Sequence, residues 1–438
     1  MPLKDAAARG DASLPVVVLG AGLAGLSASR ELRKWGVPHR ILERSHSVGG
    51  LASTVEEAGY RFDRTGHLLH LRSNAIRDWV FEALPVAAWT EIERKSVVFS
   101  HGVTTKYPFQ SNAFGLPKEV AYQCLLGFIQ AHFDPAPRGV TTFEDFCLRY
   151  FGEAISAAFM VPYNEKLCGV HPREIDASWC DRFVPKPALE DVLRGAFGLP
   201  GPELGYNAKF LYPRLGMGEL GRAIAERAGV VELGSEVLGI DAERRVVHLE
   251  NEPIHYQRLV STIPLDVLVS RLVDAPEAIT NAGRALRKTH LYYLDVALNT
   301  PCERTLHWAY VPELRFPFYR VGCYSNFSAS MAPVGKASLY VELASREAPV
   351  LSELLPEVAA GLCEMGLIRA PEAIRFARVR KVEHAYVVYD AARAAALATL
   401  RPYLEARDIV SAGRYAMWEY ASMEDAIAQG IAAAGRGA

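Results

Sequence analysis

The chain has no surplus of charge of either sign. Its 438 residues carry 48 Lys+Arg against 50 Asp+Glu, a formal net charge of −2. A nucleic-acid backbone or an anionic lipid surface would meet no dominant positive field, so neither nucleic acid nor membrane is an expected partner. No apolar run reaches the roughly 18–20 residues that cross a bilayer, and the apolar stretch 15–19 is too short for a signal-peptide core. A cytoplasmic location is therefore the expectation. No C-x-x-C pair occurs. The seven cysteines (Cys124, Cys147, Cys168, Cys180, Cys302, Cys323 and Cys363) are odd in number and widely spread. That pattern suggests neither a zinc site nor a disulfide framework, and the thiols read as buried; no metal is expected. Internal repeats are absent, and the alanine-rich stretch 391–398 is the only approach to low complexity.

What is present is apolar and ordered. Half the residues are hydrophobic, and at roughly 100–200 residues per domain the chain is long enough for two or three domains with sizeable cores. After a polar leader, Val16-Val17-Val18-Leu19 reads as a buried parallel strand that runs into Gly20-Ala21-Gly22-Leu23-Ala24-Gly25. A helix follows, with Leu23, Leu26 and Trp35 at helical intervals and Gly36 as its stop, then a strand Arg40-Ile41-Leu42 ending at Glu43. From about residue 116 to 179 the pattern is helical, and Thr141 followed by Glu144 predicts a capping box. Residues 291–298 and 338–342 alternate with period two and read as strands. Near the end come a strand at Ile409-Val410, then Gly413, then an alanine-rich helix.

Gly20, Gly22 and Gly25 satisfy G-x-G-x-x-G in the setting that gives the motif meaning, after a strand and at the start of a helix. Glu43, about 20 residues on at a strand end, is placed to accept hydrogen bonds from a ribose diol, while the helix N-terminus faces a pyrophosphate. Directly after it comes Arg44-Ser45-His46-Ser47-Val48-Gly49-Gly50-Leu51, and the C-terminal part carries Gly413-Arg414 ahead of Met423-Glu424-Asp425-Ala426-Ile427-Ala428-Gln429-Gly430. Together these resemble the flavin-binding segments of the FAD-containing amine oxidase and protoporphyrinogen oxidase superfamily. The resemblance implies FAD rather than NAD, held by Gly20, Gly22, Leu23, Ala24, Gly25, Glu43, Arg44, Gly49, Gly50, Leu51, Val237, Gly413, Arg414 and Met423. It also implies an α/β fold: a Rossmann-type FAD-binding domain built from discontinuous segments (12–80, 212–265 and 405–436), a mostly helical domain (113–205), and an antiparallel-sheet substrate domain (81–112 and 266–404).

Five further stretches resemble UDP-galactopyranose mutases, with the eukaryotic branch nearest. They are Tyr60-Arg61-Phe62-Asp63-Arg64-Thr65-Gly66-His67; Lys106-Tyr107-Pro108-Phe109-Gln110-Ser111-Asn112; Pro162-Tyr163-Asn164-Glu165-Lys166; Phe316-Pro317-Phe318-Tyr319-Arg320 followed by Tyr324-Ser325-Asn326-Phe327; and Gly413-Arg414-Tyr415-Ala416-Met417-Trp418-Glu419-Tyr420. Apart from any family, two guanidinium groups among Trp308, Tyr310, Tyr319, Tyr386 and Tyr420 suit a sugar nucleotide: forks for a diphosphate, phenol donors for its oxygens, rings for base and sugar.

The resemblance implies a non-redox ring contraction, in which a UDP-hexopyranose such as UDP-galactose becomes the furanose while linked through its anomeric carbon to N5 of reduced FAD. His67, Arg320 and Arg414 then carry catalysis. Tyr107, Gln110, Asn164, Trp308, Tyr310, Tyr319, Phe327, Tyr386 and Tyr420 line the substrate site, and Arg94 with Ser96 receives NADPH as reductant. Three positions depart from the family: Phe327 stands where a phosphate-binding tyrosine is expected, Glu424 where an asparagine is expected, and Leu215-Gly216-Met217-Gly218 is poorer in glycine than the corresponding loop. Two alternatives stay open, an FAD-dependent oxidoreductase of the amine oxidase type and a catalytically silent flavoprotein scaffold. Whether the chain forms a homo-oligomer is also open.

Overall fold

The computed structural model describes residues 14–137, 139–201 and 208–435. The outer ends of the expected domains at 12–13 and 436, and residues 138 and 202–205 of the helical one, lie outside the described residues. From the first strand, β1 (Val16–Leu19), the chain passes through α1 (Leu23–Lys34), β2 (His39–Glu43) and a hairpin, β3 (Thr54–Glu57) and β4 (Tyr60–Asp63). Then follow α2 (Asn74–Ala83), β5 (Trp89–Glu93), β6 (Ser96–Ser100) and β7 (Val103–Lys106). A helical stretch holds α3 (Lys118–His132), α4 (Phe143–Ile155), α5 (Val161–Cys168), α6 (Cys180–Phe183) and α7 (Leu189–Ala196). The chain continues through β8 (Lys209–Pro213), α8 (Gly218–Ala228), β9 (Val231–Leu233), β10 (Gly239–Asp241), β11 (Val246–His248), β12 (Pro253–His255) and β13 (Arg258–Ser261). Last come α9 (Leu265–Arg271), α10 (Glu277–Arg284), β14 (Lys288–Leu298), β15 (Trp308–Tyr310), β16 (Phe318–Cys323), β17 (Ala337–Leu343), α11 (Leu351–Glu364), β18 (Ile374–Val387), α12 (Ala391–Glu405), β19 (Ile409–Ser411) and α13 (Met423–Gly435).

Two sheets position the site. The first is parallel, in the order β19-β13-β1-β2-β9, and draws its strands from both ends of the chain as well as its middle. Val16, Val17, Val18 and Leu19 are each at most 2% exposed, as expected of a strand covered on both faces. Helix α1 packs against this sheet and is flanked by α8 and α13. The second sheet runs β18-β14-β17-β16-β15-β6-β7, antiparallel except where β15 lies parallel to β6 and pairs Trp308 with Ser96. Its β17 is buried along its whole length, Glu342 included.

The elements begin and end for local reasons. Gly36, at φ +70°, ends α1 as expected, with Trp35 at the C-cap. The capping box of α4 forms one residue later than expected: Thr142 Oγ1 accepts from the Asp145 N–H at 3.1 Å, and the Asp145 carboxylate accepts from the Thr142 N–H at 3.0 Å. Phe143 is 1% exposed and packs on Trp179 with ring centroids 5.0 Å apart. That burial fixes the first helical residue and leaves Glu144 out of the box. Five cysteines are buried as expected, whereas Cys302 and Cys363 reach the surface in part; all seven are free thiols. Among the described residues, no helix is long and apolar enough to cross a membrane.

Candidate active site

The three glycines after β1 let α1 start flush against the sheet edge. Gly20 sits at φ +95°, and a Cβ at Gly25 would stand 1.9 Å from the Gly20 carbonyl oxygen, so no side chain fits there. Gly22 is the N-cap of α1, with no side chain capping it and no acidic residue in the first turn. The open N–H groups of that turn form a ready anion site. Gly50 closes on Gly22 so tightly that a Cβ on Gly50 would lie 3.0 Å from the Gly22 Cα. Leu23 and Ala24 are buried beside this cradle, Leu51 and Met423 are half-buried, Arg44 is exposed, and Val237 is 9% exposed just beyond β9. Gly413 donates its N–H to Gln429 of α13 at 2.8 Å, which sets the C-terminal wall against α1.

Glu43 stands at the end of β2 as expected, already in use. Its carboxylate accepts from the Ala21 N–H, the Ser45 N–H and the Ser45 hydroxyl, each at 2.8 Å. A carboxylate offers about four acceptor positions, so one remains for a ribose hydroxyl. An uncapped helix start, a glycine floor and an anchored acid all fit FAD.

His67 follows β4 in a loop that also contains Arg64 and Thr65. Its Nδ1 bonds to the Arg64 carbonyl, which assigns the proton to Nδ1 and leaves Nε2 as an acceptor. Burial, reinforced by the nearby charges of Arg414, Arg320 and Arg64, pushes its pKa down to about 4, so the ring is neutral at physiological pH. His67 nevertheless keeps partial exposure.

Arg320 and Arg414 differ in kind. Arg320 is held by Glu342, Nε to Oε2 at 2.9 Å and Nη2 to Oε1 at 2.6 Å, and Glu342 has 0% exposure. Arg414 has no carboxylate partner among the described residues. Its Nη1 donates to the Ala421 carbonyl at 3.0 Å, its Nε is buried without a partner, and the rings of Tyr386, Tyr415 and Tyr420 lie 5.7, 5.8 and 5.2 Å away. Tyr386 feels both guanidinium groups, and burial pushes its hydroxyl up to about 12, keeping it a donor.

Arg414 opens onto a cavity of about 270 Å³ between the helical stretch and the second sheet. Tyr107, Gln110, Asn164, Tyr310, Tyr386 and Tyr420 all line it, as expected. Tyr107 stacks on Tyr310 at 4.7 Å, and Arg94 lies 5.1 Å over the Tyr107 ring. Gln110 donates to the Pro185 carbonyl at 2.9 Å and Asn164 to the Met160 carbonyl at 2.7 Å, which leaves each amide oxygen available to a ligand.

Four expected residues do not line this cavity. Phe327 is 4% exposed and packs into an aromatic cluster with Phe210, Tyr212, His307 and Tyr324, away from the cavity. Trp308 lies behind the lining in that cluster, 4% exposed. Tyr319 is fully buried, and its hydroxyl has no partner. The Ser96 hydroxyl is sealed where β6 meets β15, so it presents nothing to NADPH. Tyr319 is one ring removed from the cavity, edge-on to the lining residue Tyr163 at 5.9 Å.

Three features escaped the sequence reading. Glu342 is an acid inside the apolar run 338–343, a signal in itself, but its partner becomes visible only once β16 lies beside β17. Phe159 and Met160 line the cavity from a π-helical turn, Ser156–Met160, that joins α4 to α5. Such turns favour functional sites, and none of their sequence marks one. Trp179 also lines the cavity, with its indole N–H buried and unpaired.

Comparison with known proteins agrees with this geometry. Residues 18–84 match the NAD(P)-binding Rossmann-like domain, and residues 110–436 match the flavin containing amine oxidoreductase family. A probable UDP-galactopyranose mutase of Klebsiella pneumoniae is 22% identical over 267 residues, 58% of this chain and 62% of that protein, so the match spans less than two thirds of the relative. A solved structure of reduced UDP-galactopyranose mutase superposes with a TM-score of 0.89 at 26% identity, covering 96% of this chain and 95% of that one. A putative protoporphyrinogen oxidase from Exiguobacterium shares the fold at a TM-score of 0.75 and 14% identity, over 98% of this chain and 99% of that one. The family match covers well over half the chain and the cradle fits the cofactor: the chain belongs to the flavin containing amine oxidoreductase family, with FAD as its cofactor.

Proposed function

We propose that the chain is a flavin-dependent isomerase that interconverts the pyranose and furanose forms of a UDP-sugar, UDP-galactose or a relative. The observation that carries this reading is Arg414: a guanidinium with no carboxylate partner among the described residues, set among tyrosine rings at an aromatic cavity and close enough to His67 to depress its pKa. A half-buried guanidinium with no carboxylate partner among the described residues and an orphaned Nε asks for an anion, and a diphosphate supplies one.

Bound and reduced, the flavin supplies the nucleophile that meets the sugar's anomeric carbon. The side chains hold and orient. Arg414 takes the diphosphate, and Tyr310, Tyr386 and Tyr420 donate to its oxygens. Gln110 and Asn164 accept from base and sugar, and Tyr107 covers a ring face. Neutral His67 offers Nε2 as an acceptor. Arg320, neutralised by Glu342, contributes a fixed donor array rather than net charge. If NADPH delivers the electrons, Arg94 beside Tyr107 carries that contact, since Ser96 is sealed.

The test is turnover. Dithionite-reduced and oxidised holoenzyme are each mixed with UDP-hexoses, and products are separated by chromatography. Furanose product from reduced enzyme alone, with no net electron consumption, supports the reading; net flavin reduction by an amine or lipophilic substrate sinks it.

A further inference from the structure

The loop that carries His67 is strained at one residue and restrained at another. Thr65 adopts φ +63°. A β-branched side chain avoids that region because its second Cγ substituent crowds the backbone, and residues found there are held by their surroundings. Thr65 is 6% exposed, so solvent does not relieve it.

The restraint comes from the second sheet. Tyr324, 0% exposed and just past β16, donates its hydroxyl to the Asp63 carbonyl at 2.7 Å and lies 3.3 Å from the Thr65 carbonyl. The Thr65 carbonyl also accepts from the His67 N–H at 3.0 Å. The His67 ring is tied to the preceding carbonyl, that of Arg64. Backbone and ring of His67 thus hang on two successive carbonyls, and Tyr324 reaches both ends of the segment that presents them. Tyr340 blocks the remaining direction: a Cβ on Gly66 would lie 2.4 Å from its hydroxyl, and its ring sits 5.0 Å from that of Tyr324.

We propose that Tyr324 is a positioning residue: its hydroxyl holds the strained Thr65 backbone in place and so fixes where His67 presents its ring to the flavin. The inference rests on reading the partly exposed side of His67 as the one that faces the flavin. Without the hydroxyl, the Asp63 and Thr65 carbonyls lose the donor they share, the tendency of Thr65 to return to negative φ is opposed less, and the 65–66 peptide shifts, carrying His67 with it. Glycine at position 65 removes the tendency, since it accepts either sign of φ. The two residues are therefore coupled, and their effects do not add.

The experiment is a double-mutant cycle on FAD-loaded protein with Tyr324→Phe, Thr65→Gly and the pair, read by the flavin midpoint potential and visible spectrum. Tyr324→Phe is expected to shift the potential in the parent background and to shift it much less in the Thr65→Gly background, with flavin content unchanged. Thr65→Asn, which tolerates positive φ, serves as the second background should the glycine variant fold poorly. In turnover, Tyr324→Phe should lower kcat roughly tenfold and leave KM within about twofold, as misplacement of a catalytic group does. An unchanged potential in Tyr324→Phe, or equal shifts in both backgrounds, overturns the proposal. The potentials need no sugar nucleotide, so a chain that fails to isomerise UDP-sugars yet shows the coupled shifts refutes the isomerase reading and leaves this one standing.

Discussion

Arg320 on β16 and Glu342 on β17 are direct register partners, and their side chains form a two-pronged ion pair whose carboxylate is fully buried. The pair ties β16 to β17 in the core of the second sheet. A charge this deep is tolerable only with its counter-charge in place.

Glu342→Gln should therefore be strongly destabilising, by roughly 3–5 kcal/mol, because it strands the guanidinium. Replacing both partners with apolar residues, Arg320→Met with Glu342→Leu, should regain most of that stability while isomerase activity is lost. Urea unfolding of the three proteins checks it. A double variant as unstable as the single one would mean that the pair does not act as a unit.

A second prediction concerns the seam that closes the cofactor site. Helix α13 crosses α1 at Gly430, where a Cβ would stand 2.1 Å from the Ala24 carbonyl oxygen. Gly430→Val must push α13 away and move Gly413 and Met423 from the cradle. The expected result is protein that purifies with little or no flavin and melts several degrees lower, by absorbance at the flavin band and thermal denaturation; full flavin occupancy would contradict it.

The pH response of His67 has a definite sign. Its folded pKa of about 4 lies below its ordinary 6.5, so between those values the unfolded chain binds more protons. Its contribution to stability is complete above pH 6.5 and is lost as pH falls toward 4. Asp63 and Asp295 act oppositely: burial raises both to about 6, so their linkage favours the folded state as pH falls through 6 toward 4. His67→Gln leaves those carboxylates in place. Its melting temperature should decline less steeply than the parent's between pH 6.5 and 4, and identical slopes would contradict the assignment.

Much of this arrangement could be read before any fold was known, because local rules carried it. A β-branched run, three spaced glycines and an acid at the next strand end give β1, α1 and β2 in place, and the aromatic and amide residues of the cavity appear where the motifs put them. The expected residues that stand off the cavity lining do so because of packing that sequence spacing does not carry. The turn after β16 carries Phe327 into an aromatic cluster with Phe210, Tyr212 and Tyr324, and Tyr319 stands behind the cavity-lining Tyr163. The pairing of Arg320 with Glu342 depends on strand neighbours that no spacing reveals. The Tyr324 hydroxyl reaches the Thr65 carbonyl from 259 residues further along the chain.

The central claim is that Arg414 forms an anion site for a diphosphate beside the flavin. Its most direct test is calorimetric titration of oxidised, FAD-loaded protein with UDP, for the parent and for Arg414→Ala. The account predicts that the parent binds UDP and that the variant keeps its flavin but binds roughly 10- to 150-fold more weakly, the loss of about 1.5–3 kcal/mol in charge-assisted bonds. A parent that ignores UDP, or a variant that binds it just as tightly, would contradict it.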